Sequence, residues 1–361
     1  MLQITDGGTL TVCNSTLRNP NPIQWGTVIV QNGALILDTG AKILVEGAVG
    51  TDRRSSGVYL QNNKPENGGT ATCEVRQGAE IRTTGNTFTI NNNGTSVSTV
   101  TVQGGTIVTG RRVWASFHAG YSIRINGGSI TSESTSDPMF LVRDEAGDAG
   151  SSTVEINGGS FSGSTRLIDA QDYSGLRLSG RILWNNRVLY AAPADGDIAV
   201  PAAGLRLPGG GSASRDSAGL RFESRIDLEW LSALDSELVT VSTGTLILPA
   251  MLLKEGALTP AAIAREQNLN LTNDGWLNAG TAGADGYVAF CGSMVGLSEQ
   301  SLTGEIAGAT WVTLTIADVG SYTFWSAPTV AVVRDLALAY DDAGADSAQA
   351  AVLEWFRGTA G

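Results

Sequence analysis

The residues best suited to chemistry lie between positions 118 and 173. The chain has one histidine, His118, with Arg143, Asp144, Asp148, Glu155, Arg166, Asp169 and Asp172 downstream of it. A single histidine excludes a multi-histidine metal site and weakens any Ser-His-Asp arrangement. Paired carboxylates such as Asp144 and Asp169 are what glycosidic-bond cleavage requires. His118 would serve as the proton-transfer group, and Arg143 and Arg166 would pair with carboxylates of an acidic sugar. Asp144, Asp148 and Glu155 fall at positions 1, 5 and 12 of an EF-hand-like count. Ala146 at position 3 and Ala149 at the glycine position spoil that loop, so Ca²⁺ is its only candidate ion and a solvated acidic loop its default reading. Trp114, Tyr121 and Tyr173 are candidates for stacking on sugar rings, against a default of core packing. No other cofactor is expected. The Gly-Gly pairs lack the Lys-Ser/Thr of a phosphate loop. Cys13, Cys73 and Cys291 have no CxxC spacing and read as buried free thiols.

These residues must be positioned by the surrounding pattern, which is repetitive. Val100-Thr-Val-Gln-Gly-Gly-Thr-Ile-Val108 recurs as Ile123-Arg-Ile-Asn-Gly-Gly-Ser-Ile-Thr131 and as Val154-Glu-Ile-Asn-Gly-Gly-Ser-Phe-Ser162. Looser copies start at Val28, Cys73 and Leu176. Each reads strand, tight glycine bend, strand. The second turn residue falls at 8, 33, 78, 105, 128, 159 and 180, and the long interval from 33 to 78 is either two rungs or one rung with a loop. A second ladder matches Leu60, Ile90, Phe117, Val142 and Ile168, with spacings of 30, 27, 25 and 26. Recurrence of two strand positions at this period predicts a parallel solenoid with one coil per repeat. The second ladder's register stacks Gln61, Asn91, His118, Arg143 and Asp169. Amide ladders at Gln61/Asn91 and Asn62/Asn92 are expected, and a His-Arg-Asp stack serves equally as a salt-bridge ladder or a site.

On rung length, Gly-Gly turns and stacked Asn, residues 1–190 resemble a right-handed parallel β-helix of the pectate-lyase-like type. That resemblance implies, for an enzyme, carboxylates holding Ca²⁺ against an acidic sugar and a basic residue taking the α-proton. The Asn-Thr-Asp, Asp-Asp and Gly-His-Gly signatures of polygalacturonase-like members are missing from residues 1–190.

Residues 191–217 are rich in Pro, Gly and Ala and read as a linker. Of the 23 basic and 35 acidic residues, 15 and 17 lie in 1–200 against 8 and 18 in 201–361, a shift that marks a second domain at 218–361. Its strands (219–226, 239–249, 287–295, 311–316) and helices (229–234, 260–266, 330–339, 347–356) read as α+β. Residues 215–357 resemble a C-terminal module of large multidomain secreted proteins of gut Firmicutes, through Gly219-Leu-Arg-Phe222, Gly244-Thr-Leu-Ile-Leu-Pro249 and Val333-Arg-Asp-Leu-Ala337.

The fold expected is mainly β, a right-handed parallel β-helix followed by a smaller α+β domain. The net charge of −12 argues against nucleic acid or an anionic membrane as partner, and no run approaches 18 apolar residues. The N-terminus lacks a leader pattern, so the chain starts in the cytosol or belongs to a longer exported protein. The function expected is a non-catalytic secreted or cell-surface scaffold that binds glycans or another surface protein. A polysaccharide lyase or hydrolase and a trimeric phage tailspike-like fibre are the alternatives. The sequence leaves the oligomeric state open.

Overall fold

The computed structural model describes residues 1–21, 26–47, 56–62, 70–92, 97–116, 120–141, 152–163, 165–169, 175–255, 258, 268–277 and 280–358. It divides into two compact units. The first comprises Met1–Ala192 with Leu234–Val239 and Ile316–Gly320.

The first unit is a parallel β-solenoid whose coils each contribute three short strands, here assigned to faces A, B and C. Face A stacks Leu2–Ile4, Val28–Gln31, Ser56–Asn62, Asn86–Asn92 and Trp114–Ser116, and a separate pair joins Phe140–Leu141 to Ile168–Asp169. Face B stacks Thr9–Val12, Ala34–Leu37, Thr72–Val75, Ser98–Val102 and Tyr121–Ile125. Face C stacks Thr16–Asn19, Lys42–Val45, Glu80–Thr83, Thr106–Thr109 and Ser129–Ser132. The long strands Thr153–Ser162 and Leu176–Trp184 run through both B and C. The last coil is closed by Arg187–Ala191, which pairs antiparallel with Leu176–Trp184.

Alternation along each strand sends one residue in two to the interior. Val58, Leu60, Cys73, Val75, Ile81, Val100, Ile107, Ile123, Ile125, Ile130, Val154 and Ile156 are all buried there. Trp114 and Phe140 stack with ring centroids 4.8 Å apart, and Phe161 meets Phe140 edge-on. The B-to-C corner turns on Gly78, Gly105, Gly128, Gly159 and Gly180, all with positive φ. At Gly105 a Cβ would also sit 2.9 Å from the Arg76 carbonyl, so glycine is needed twice over.

Several expected alignments shift. Val28–Val30 stacks on Val58–Leu60 in face A, while Cys73–Val75 stacks on Leu35–Leu37 in face B. Val28-Ile-Val30 and Cys73-Glu-Val75 each place two apolar residues two apart ahead of a glycine turn, at Gly33 and Gly78, which makes the two segments alike in sequence. Gly8 and Gly33 accordingly belong to the A-to-B corner, and Leu35 to Cys73 is one coil. In face A, Ile90 pairs with Ser116, one residue before Phe117. Ile168 pairs with Phe140, and Asp169 with Leu141.

The second unit comprises Pro193–Ala233, Thr240–Thr315 and Ser321–Gly361. The Pro/Gly/Ala-rich segment at its start contains a strand, Ala202–Arg206, antiparallel to Gly219–Asp227, which pairs in turn with Tyr287–Val295. A second sheet orders Leu269–Thr272, Val239–Pro249, Ile306–Ile316 and Gly320–Trp325. Leu220, Phe222, Ile247, Val333, Leu353 and Phe356 form its core. The helix Ser347–Arg357 starts at a capping box between Asp346 and Gln349 and ends at left-handed Gly358. The expected helix over 330–339 is shorter: Thr329–Ala331 is a strand on Ile306–Gly308, and the helix spans Val333–Leu338. The expected helix over 260–266 lies outside the described residues. No helix among the described residues is long and apolar enough to cross a membrane.

Candidate functional site

Two places in the solenoid gather polar side chains. The first is the end of face A, where the expected catalytic residues follow successive strands in sequence. His118, Arg143, Asp144, Asp148, Asp172 and Tyr173 lie outside the described residues. Asp169 is described and buried, and Arg166 donates to it from Nη2 at 2.7 Å. A second contact joins Arg166 Nη1 to Asp318 Oδ1 at 3.7 Å. In the strand register Asp169 stands opposite Leu141, and the expected stacking partner Arg143 lies outside the described residues. Asp169 is therefore a buried, cation-held carboxylate.

The expected sugar-stacking aromatics are corrected as well. Trp114 is 1% exposed and Tyr121 2%, so both are core residues without a face for a ligand. Both occupy inward positions, Trp114 opposite Phe88 and Tyr121 opposite Ser98. Glu155, the third weak Ca²⁺ candidate, points outward from face B and accepts from Arg124 Nε at 2.7 Å. No cluster of metal-ligating side chains occurs among the described residues.

The second place is the outer side of faces B and C, and here the side chains join into rows. Neighbouring strands of a sheet lie about 4.8 Å apart, so outward residues at one register position form a file. One file on face B runs Thr72, Thr99, Ser122, Thr153. Thr153 Oγ1 donates to Ser122 Oγ at 3.2 Å. The next runs Glu74, Thr101, Arg124, Glu155, Arg177, alternating in charge at its end. On face C, Thr106, Ser129 and Ser160 form one file and Val108, Thr131 and Ser162 another, with Thr131 and Ser162 hydroxyls 2.9 Å apart.

The corner between these faces carries an amide row. Asn126 donates to Gln103 at 2.7 Å, Asn157 to Asn126 at 2.8 Å, and Ser179 to Asn157 at 2.7 Å. Amide stacking was expected on face A instead. There the backbone register of Asn91 on Gln61 and Asn92 on Asn62 holds. Asn91 donates to the Tyr59 hydroxyl at 2.7 Å, and Asn92 is bound by the Gly120 carbonyl and Ser98 hydroxyl. The rows on B and C are carried by the polar residues that alternate with the apolar ones in each repeat.

The thiols also differ from expectation, since only Cys73 is buried. Cys13 is exposed and Cys291 intermediate, and all three are free. Burial, reinforced by the Glu74 charge, pushes the Cys73 thiol up to about 12. In the second unit, a cavity of about 370 Å³ is lined by Glu223, Arg225, Asp285 and Tyr287. Its charges are satisfied locally: Arg225 pairs with Asp285 and lies over the Tyr287 ring.

Compared with known proteins, the chain matches no family model, no curated protein and no solved structure.

Proposed function

We propose that the protein is a non-catalytic scaffold that acts outside the cell or at its surface, and that the outer side of faces B and C binds a glycan. The observation that carries this reading is the cross-linked polar lattice on that side. Hydroxyl, amide and charged groups repeat about every 4.8 Å on a rigid sheet and hold one another in place. Such groups are ordered before a ligand arrives, so binding costs little further side-chain entropy. Hydroxyl and amide files offer donors and acceptors at intervals close to the length of a sugar residue. The pairing of Arg124 with Glu155 leaves the surface near neutral there, in contrast to the acidic whole.

The cell-surface setting is supported by the resemblance of residues 1–190 to pectate-lyase-like β-helices and of 215–357 to a module of large secreted proteins of gut Firmicutes. Another surface protein is the second class of ligand that the same lattice would suit. The test is incubation with a panel of neutral and uronic-acid polysaccharides, with and without Ca²⁺. Retention on immobilised polysaccharide without absorbance from unsaturated product supports the scaffold. Release of unsaturated or reducing product replaces it with the lyase or hydrolase reading.

A further inference from the structure

The corner between faces B and C carries a strip without side chains. Three successive coils cross it on a glycine pair, Gly104-Gly105, Gly127-Gly128 and Gly158-Gly159. Gln103, Asn126 and Asn157 stand on one side of these pairs and are joined into the amide row. Thr106, Ser129 and Ser160 stand in register on the other side. Two polar files thus border a bare strip that runs along the solenoid axis.

The coil of Leu176–Trp184 ends this strip differently. It has one residue more at the corner, where the register shifts between Ile156 and Gly158, and Gly180 turns there with φ +66. Such a bulge re-aims the side chains around it. Ser179 takes the amide position and donates to Asn157. Arg181 stands in register with Gly158, so a guanidinium closes the strip where the coils before it have only backbone. Arg177, in register with Glu155, flanks Ser179 from face B. Both arginines are exposed and alternate with buried Leu178 and Ile182, which puts them on the outer side.

The charges of these two arginines are unanswered. Among the described residues neither Arg177 nor Arg181 has an ion-pair or hydrogen-bond partner. Every other described lysine or arginine of the solenoid is paired with a carboxylate. Glu155, the carboxylate in register with Arg177, is taken by Arg124. The chain has acid in surplus, at net charge −12, yet leaves these two cations without it at the end of the polar strip.

We infer that an anionic glycan lies along this strip, with a carboxylate or sulfate group of one sugar held by Arg177 and Arg181. The inference rests on the glycan-binding reading of faces B and C, and adds the charge of the ligand and the point that anchors it. A guanidinium meets an oxyanion with paired N–H donors, which makes arginine the side chain suited to this contact. From that anchor the chain of sugars follows the amide row from Ser179 towards Gln103. The bordering amides and hydroxyls supply donors and acceptors for its uncharged groups.

A glycan array with neutral, uronate-bearing and sulfated members, probed with the full chain, tests this. The bound members are expected to carry an anionic sugar, and confinement to uronates or to sulfates identifies the oxyanion. Arg177→Gln with Arg181→Gln should weaken that binding roughly tenfold or more, because two charge-assisted contacts are lost. Arg206→Gln with Arg221→Gln, in the second unit, makes the same change in net charge and should leave binding unchanged. Preference for neutral members, undiminished binding by the first variant, or equal loss in both variants overturns the inference while the glycan reading stands. Binding to no member of the array removes that reading and the inference with it.

Discussion

At the scale of single residues, the thiols give the sharpest contrast. Cys73 is buried with its thiol raised to about 12, and Cys13 is exposed. Thiolate is the reactive form, so alkylation of the native protein should modify Cys13 first and leave Cys73 unmodified until the chain unfolds. Peptide mapping after timed alkylation checks this, and early modification of Cys73 would contradict the burial. Residue type and spacing do not separate the two; Cys13 lies just past the strand Thr9–Val12, whereas Cys73 is an inward position within Thr72–Val75. The same holds for Trp114 and Tyr121. Their types suggested sugar stacking, but strand parity sends both inward. Gly105 is a second test at this scale. Gly105→Ala places a side chain at φ +85 against two carbonyls and should destabilise the first unit by at least about 1 kcal/mol, measured by denaturant titration.

At the scale of elements, the repeat period was legible because each coil needs the same apolar positions and the same bend. The register of face A was not. Its strands shrink from seven residues at Asn86–Asn92 to two at Ile168–Asp169. Apolar type therefore does not fix the register there: Ile90 pairs with Ser116, one residue before Phe117, and Ile168 pairs with Phe140, two before Val142. Residues 330–339 show the opposite failure: helical spacing of apolar residues was overridden where Thr329–Ala331 found a strand edge. Within the coils, Ile81 fills a column between Ile43 and Ile107 and is fully buried. Ile81→Ala should cost about 2–5 kcal/mol, read as a lowered denaturation midpoint. In the second unit, hydrogen bonds from the Gly211 and Gln349 backbones lower the Asp346 carboxyl, and hydrogen bonding to Arg357 lowers that of Asp342. Both carboxylates favour the folded state above the ordinary aspartate range, and that contribution is lost as pH falls through their depressed values. Thermal melts should show the second unit weakening below pH about 4, and Asp346→Asn should flatten that dependence. A melt indifferent to acid would contradict the capping role.

For the molecule as a whole, the acidic balance and the glycine content resolve into two units with different constructions. The first is built from parallel coils and the second from antiparallel sheets with a capped terminal helix. The architecture was readable in advance because solenoids write their period into the sequence. The surface that carries the proposed function was not, because polar files arise only when outward residues of distant coils come into register. Thr72 and Thr153 belong to one file across four coils, although 81 positions separate them in the chain. The central claim is that this lateral face binds glycan without cleaving it. The most direct measurement is a glycan array probed with the wild type and with a Thr99→Lys, Ser122→Lys variant of face B. The account predicts binding to a defined set of glycans that falls by roughly tenfold or more in the variant, about 1.4 kcal/mol, with the fold unchanged. Equal binding by both proteins, or no binding by the wild type, would contradict it.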